Sequence, residues 1–455
     1  MYPYLTLLII PVVRGVFLNV FYGKGTLSGI IIAECIVLSL AVLTAVLKLK
    51  RTQICFNGEI TVEKGLFCRV HYSIPESADR VIVLESNPIL KVCGALRLKI
   101  YTEAGARKKP DENILITRKA AVLIFEKYRV EGHAVRSNTF GEVIMSAALS
   151  SFLNGILLTI PTVKIIMSLL GQNIQSLMPT AKDLYFQGVN FSTVGRWITV
   201  LLGIGYIVSF FVLFLRNLGF YSVKSGTDIM LDSGRLPHRI ALLKAKSVYS
   251  VRTVTAPLML LLRKCAVKYS ACGYGRLKGE IGLLVPCVKP TLAKGLVQWL
   301  LPEFKSGNLT LTPDKKAYRR IIWLPLLLVS GAVIGLIITK LYFYGFWNFS
   351  LLIASGLLIC AVVLFLMRCS FVKNGGISVT SEQISAQGIK GFSLDKLQLK
   401  ISSVQYIKIS RTPFDRRHGH CMVKLRATGK NRDTVKVKYL NYYDCLSLLE
   451  KSCRQ

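Results

Sequence analysis

The residues of this chain whose chemistry reaches furthest are basic, and they cluster. Lys244, Lys246, Arg252, Arg263, Lys264 and Lys268 fall in one stretch, and Arg411, Arg416, Arg417, Lys424 and Arg426 in another. Such density suits anionic headgroups, because each Lys or Arg beside an anionic leaflet contributes about 1 kcal/mol, falling off within a Debye length of about 8–10 Å. Nucleic acid attracts the same charge, but no interleaved set of stacking aromatics accompanies these cations, so no nucleic-acid partner is expected. The competing reading is plain: the solvated side of strands, with charge that only orients a membrane protein.

A second constellation is Arg14 with Glu34, each ten residues from Lys24 and each inside an apolar run. Isolated charges at that depth of a bilayer cost about 2.5–3.5 kcal/mol by insertion scales, so the two are expected to pair. The pair reads either as an ion relay or, preferably, as an intramembrane ion pair fixing the register of a helical hairpin. His418, His420 and Cys421 have metal-binding side chains, but one hairpin supplies them all and no second ligand set follows, so no metal is expected. The 12 cysteines contain no CxxC pair, which argues against a disulfide framework or a zinc ribbon. Gly273-Tyr274-Gly275 ends a strand instead of opening a helix, and no Walker motif occurs, so no nucleotide cofactor is expected. Serines and aspartates stand singly. The sequence therefore reads as no enzyme, with no cofactor.

What must position these residues is a membrane scaffold. The mean hydropathy is +0.47 while the formal net charge is +35, so apolar and charged residues occupy different segments. Six apolar runs, at about 3–21, 27–47, 143–170, 194–215, 321–340 and 348–367, approach or exceed the roughly 18–20 residues that cross a bilayer. About 52 of the 59 basic residues lie outside them, in three long segments, and the turns inside each pair of runs hold few, chiefly Lys24 and Lys182. The positive-inside rule then places all three segments and both termini in the cytoplasm. Tyr342, Phe343, Tyr344, Phe346 and Trp347 would form an interfacial belt at the outer turn of the third pair.

The segments repeat one another. From first glycine to proline, Gly65–Pro88 and Gly234–Pro257 are each 23 apart and Gly388–Pro413 is 25; from the same glycines to Gly105, Gly273 and Gly429 the distances are 40, 39 and 41. Within each, alternating apolar runs lead through a Pro-led turn to a last helix, as at Arg118–Tyr128, Pro290–Leu301 and Tyr442–Lys451. The expected layout is a polytopic α-helical membrane protein with α+β soluble domains: a hairpin over 1–49, a domain over 50–142, a hairpin over 143–215, a domain over 216–320, a hairpin over 321–367 and a domain over 368–455.

This layout resembles the bacterial PH-like membrane proteins of the YdbS/YdbT type, in its three-unit, YdbT-like form. Asn87-Pro88-Ile89-Leu90-Lys91-Val92-Cys93-Gly94, followed by a strand ending at Gly105, fits the family's turn, as does Pro413-Phe414-Asp415-Arg416-Arg417-His418-Gly419. The second copy departs, with Leu260 at the basic position and Arg263 where the glycine belongs, so its turn is expected to be looser. The resemblance implies three repeats of a transmembrane hairpin followed by a PH-like, seven-stranded β-barrel with a C-terminal helix, in a bacterial plasma membrane. It implies a non-enzymatic protein whose cytoplasmic domains bind or organise anionic lipid, a membrane-protein partner or further copies of the chain, some relatives being associated with tolerance of membrane-active peptides. The alternative is a transporter or exporter subunit moving an amphipathic peptide or lipid through the hairpins.

Overall fold

The structure, a computed structural model, describes 51–150 and 191–453 except 58, 66–68, 76–77, 93, 103–109, 128–131, 272–273, 275–281, 306, 308, 315–317, 343–346 and 428–433, together with Ser39, Leu43, Thr44 and Leu47. The chain divides into two compact units, 1–78 with 150–210, and 79–149 with 211–455. In the first, β1 (Gln53–Asn57), β2 (Glu59–Lys64) and β3 (Val70–Ile74) form an antiparallel sheet in that order. Strict alternation along β2 buries Ile60 and Val62 and exposes Glu59 and Glu63, the signature of a half-buried strand.

The larger unit begins with β4 (Arg80–Ser86), the one-turn helix α1 (Pro88–Val92), β5 (Ala95–Thr102), β6 (Glu112–Thr117), α2 (Arg118–Lys127), β7 (His133–Arg136) and α3 (Thr139–Leu149). After α4 (Phe191–Asn217) come β8 (Tyr221–Ser225), β9 (Asp228–Ser233), β10 (His238–Lys244), β11 (Val248–Thr255), α5 (Pro257–Leu261), β12 (Cys265–Ala271), β13 (Leu283–Val288) and α6 (Pro290–Leu300). The last third holds α7 (Tyr318–Tyr342), α8 (Trp347–Asn374), β14 (Gly376–Val379), β15 (Gln383–Lys390), β16 (Ser393–Lys400), β17 (Val404–Ser410), α9 (Pro413–Arg416), β18 (His420–Ala427), β19 (Thr434–Asn441) and α10 (Tyr442–Cys453).

Strands from successive segments share sheets. The order β6-β5-β4-β10-β9-β8-β7 joins the late strands of the first segment to the early strands of the second, and β13-β12-β11-β16-β15-β14 joins the second to the third. The β4–β10 seam is fastened by Glu85, whose carboxylate accepts from Arg239 at 2.6 Å and lies 2.6 Å from Lys99 Nζ. Burial alone would raise the Glu85 pKa, but the two cations outweigh it and hold the carboxyl at about 2. The β11–β16 seam carries a looser ion pair, Arg252 to Asp395 at 3.7 Å. Around these seams one core gathers Val81, Ile144, Leu231, Val251, Val267, Val285 and Leu300, and a second gathers Ile384, Leu397, Val423, Val437 and Leu440.

The six-span, three-hairpin fold and the six-span location are corrected here. Among the described residues two helices are long and apolar enough to cross a membrane, Ile322–Tyr342 and Ala354–Asn374, and the remaining architecture is mostly antiparallel sheet. The run begun at 143 shows the physical reason. Its first residues belong to α3, which packs against β13 and α5 and buries Ile144 and Met145, so their apolarity serves a protein core. Glu142 in that helix is also buried, and it accepts the amides of Gly219 at 3.1 Å and Phe220 at 2.9 Å, tying α3 to the start of β8. In α4 the described apolar stretch is the shorter Ile204–Asn217. The runs at 3–21 and, but for four residues, 27–47 lie outside the described residues, as do Arg14, Glu34 and Lys182.

The prolines act as the repeat requires. Pro88, Pro257 and Pro413 each open a one-turn helix between two strands, where the missing N–H costs nothing. The turn then closes at the sixth residue after the proline: Gly94 donates to Lys91 O at 3.2 Å, Arg263 to Leu260 O at 3.1 Å and Gly419 to Arg416 O at 3.3 Å. All three residues are left-handed, with φ of 63°, 49° and 69°. The second turn is therefore as tight as the others, contrary to the expectation, and Arg263 bears a conformation that suits glycine.

Candidate functional site

An open groove of about 740 Å³ lies at the end of α8. The strands β11, β15 and β16 give it a polar floor, with Thr253, Gln387, Lys396 and Gln398 on it. The first turns of α6 bring Pro290, Thr291 and Lys294; the turn after α5 brings Arg263 and Lys264; the last turn of α8 brings Ser370, Lys373 and Asn374. Five cations thus meet in one cavity, and no carboxylate is among its described lining residues. The first four amides of a helix lack internal partners, and the N-cap of α6, Lys289, makes no side-chain cap bond. The helix start therefore adds its own positive partial charge to the groove.

Alternation explains how a lysine comes to lie on a sheet floor. On β16, Asp395 and Leu397 are buried on one face while Lys396 points to the other, half-buried between its strand neighbours Thr253 and Gln387. Burial lowers the pKa of Lys396, and the charge of Lys294 lowers it further. Two cations are thereby held close enough to oppose each other's charge. An anion between them relieves both the repulsion and the lost hydration. Lys264 lies over the ring of Phe140 at 5.0 Å. The lining thus presents ammonium, guanidinium, hydroxyl and amide donors to an anion entering the groove.

The structure divides the basic residues singled out from sequence. Arg263 and Lys264 line the groove. Arg252 faces away, paired with Asp395, and Lys244 and Lys268 lie on β10 and β12 outside it. Lys246 is exposed, and its carbonyl accepts from Lys400 Nζ at 2.9 Å. The second cluster serves sheet geometry. Arg411 stacks over Tyr442 at 4.1 Å, and Lys424 and Arg426 flank the ring of Tyr406 at 5.9 and 5.6 Å. The two cations beside its hydroxyl, Arg426 first, lower the Tyr406 pKa. Arg416 and Arg417 are exposed on the turn after β17. His238 pairs with Asp232 at 2.8 Å, and that hydrogen bond raises its pKa.

Lys294, Lys373 and Lys396 are the groove residues that sequence reading missed. They stand on a helix, a membrane-length helix and a strand more than a hundred positions apart in total, so no linear cluster marks them. His418 and His420 stack 6.3 Å apart, but no group of three or more His, Cys, Asp or Glu gathers among the described residues. Comparison with known proteins gives no matching family model, no matching curated protein and no matching solved structure.

Proposed function

We propose that this chain is a non-enzymatic, membrane-associated protein that holds the anionic headgroup of a lipid or amphiphile in the groove at the end of α8. One observation carries the reading: five cations, with no carboxylate among the described lining residues, line a groove where an apolar helical hairpin ends. The crossing-length windows of α7 and α8 have mean hydropathies of 2.4 and 2.2, yet only 11 % and 22 % of them is buried within the protein. Trp323, Leu326, Leu327, Ile334 and Ile359 are each more than half exposed. At about 25 cal/mol per Å² of apolar surface, such a hairpin is unstable in water and stable in hydrocarbon. A groove at its end then lies where headgroups are found, with acyl chains directed along the hairpin.

Equilibrium binding of the full chain, in neutral detergent, to a short-chain lipid with a phosphate monoester headgroup tests this directly. Binding is expected to exceed that of the phosphocholine analogue and to weaken with salt, as screening of partly exposed charge requires. Lys294→Gln with Lys373→Gln removes two cations worth about 1 kcal/mol each, which is roughly a thirtyfold loss of affinity. Equal affinity for the two headgroups, or for wild type and double variant, would refute the proposal.

A further inference from the structure

The two shared sheets obey one rule, and the rule leaves two strands over. Late strands of the first segment pair with early strands of the second through β4–β10, and late strands of the second pair with early strands of the third through β11–β16. The late strands of the third segment form β17-β18-β19, and the early strands of the first form β1-β2-β3. Among the described residues, neither β17 nor β3 has a neighbour on its outer edge.

The equivalences hold without a gap when counted from the prolines. Val81 and Ser250 each stand seven residues before Pro88 and Pro257, and their strand partners Leu243 and Leu399 each stand fourteen before Pro257 and Pro413. Seven before Pro413 is Tyr406 on β17, and fourteen before Pro88 is Ile74 on β3. Ile74, Leu243 and Leu399 are all buried, at 7 %, 4 % and 1 % exposure. Even the irregularity recurs: β11 shifts register between Val248 and Ser250, and β17 between Val404 and Tyr406. That bulge does not protect β17 as an edge, because its counterpart lies in a strand that is paired on both sides.

Burial shows what β17 lacks. Six of the seven residues of β4 and four of the eight of β11 are buried, whereas none of the seven of β17 is. The side chains left half-covered are those of a central strand: Tyr406, Ile407 and Ile409. Charge agrees with the pairing. The sheet of β3 exposes Glu59 and Glu63 on β2, while that of β17 carries Lys408, Lys424, Arg426, Lys436 and Lys438.

We infer that the outer edge of β17 takes strand β3 of a second copy of this chain, antiparallel, with Tyr406 opposite Ile74, Ile407 opposite Ser73 and Ile409 opposite His71. The contact continues between copies the rule that joins segments within one. It is head-to-tail, so successive contacts generate a ring if the rotation closes.

The test uses two differently tagged full-length chains expressed together, one with Ser73→Cys and the other with Ile407→Cys, treated with a short thiol cross-linker. A cross-linked heterodimer is expected, beyond any seen with the same tagged chains lacking the added cysteines. A second in-register pair, His71→Cys with Ile409→Cys, is expected to give the same product, and the pair His71→Cys with Gln405→Cys, four residues out of register and beyond the reach of the linker, to lose it. An unchanged melting temperature for each single variant establishes that the chains are folded. Cross-linking only inside one chain that carries both cysteines assigns β3 to its own chain and overturns the inference. Equal yields in and out of register, or no product from folded chains, overturn it too.

Discussion

Replacing Arg263 by glycine separates what the turn needs from what the groove needs. Arg263 stands at φ 49°, where the equivalent positions of the other two turns hold Gly94 and Gly419. A non-glycine residue in that region costs about 1–2 kcal/mol, and glycine returns roughly 0.5–1 kcal/mol of that through the entropy of the unfolded chain. Arg263→Gly is therefore expected to stabilise the fold by about 0.5–1 kcal/mol, a rise in melting temperature of about 2 °C for a unit of this size. The same change removes one groove cation, about 1 kcal/mol of headgroup attraction, or about a fivefold loss of affinity. Thermal melts with and without the phosphate-headgroup lipid read both effects. The reverse exchange, Gly94→Arg, supplies the control: a Cβ there meets nothing within 4 Å, so only φ 63° opposes it. It is expected to cost about 1 kcal/mol and to leave lipid binding unchanged. An Arg263→Gly protein that melts lower than wild type, or that binds as tightly, would refute the reasoning.

Other expectations follow from the same geometry. Lys396→Met removes a half-buried cation opposed by Lys294; exchanging such a charge for an apolar chain is often neutral or stabilising by about 1 kcal/mol, and here it is expected to raise the melting temperature while weakening lipid binding. Glu85→Gln leaves Arg239 and Lys99 without their shared carboxylate and is expected to cost on the order of 2 kcal/mol, discounted for partial solvent screening. Because the folded pKa of Glu85 is lowered from 4.5 to about 2, its contribution is full above about 4.5 and is lost as pH falls toward 2; acid melts of wild type and Glu85→Gln should converge in that window. Cys360 is exposed within the span Ala354–Asn374, whereas Cys265 is buried with its thiol pushed up to about 12 by burial and then by Cys287. In intact vesicles Cys360 is expected to stay unlabelled by charged and lipid-permeant maleimides alike, because hydrocarbon excludes the water a thiolate needs, with Cys265 silent to both until unfolding. Labelling of Cys360 by the charged reagent at the rate of an unfolded thiol would place the hairpin in water.

Local structure was legible wherever one element's own residues decide it. The runs at 321–340 and 348–367 correspond to the helices holding Ile322–Tyr342 and Ala354–Asn374, and the Pro-led turns appear at all three places. What failed is what depends on neighbours. Hydropathy does not say whether lipid or protein covers an apolar helix, so α3, packed on β13, reads from sequence as the start of a span. Arg252 looked like a free cation because its partner Asp395 lies on a strand more than a hundred residues away, brought there by the β11–β16 register. For the same reason Lys294, Lys373 and Lys396 went unseen: each is unremarked in its own stretch and acquires meaning only where α6, α8 and β16 converge. The strand sharing between segments was also invisible, since alternation fixes which face is buried and leaves open which edge is paired.

The most direct measurement is to photo-cross-link the full chain, in a neutral bilayer, with a lipid bearing a phosphate monoester and a photoreactive group beside it, and to map the adducts by mass spectrometry. Adducts on the peptides holding Lys294, Lys373 and Lys396, competed by the unmodified phosphate lipid and not by phosphatidylcholine, are the expected result. Adducts spread over Arg416, Arg417 and Lys436 with the groove peptides unmodified would contradict the assignment of the groove as the headgroup site.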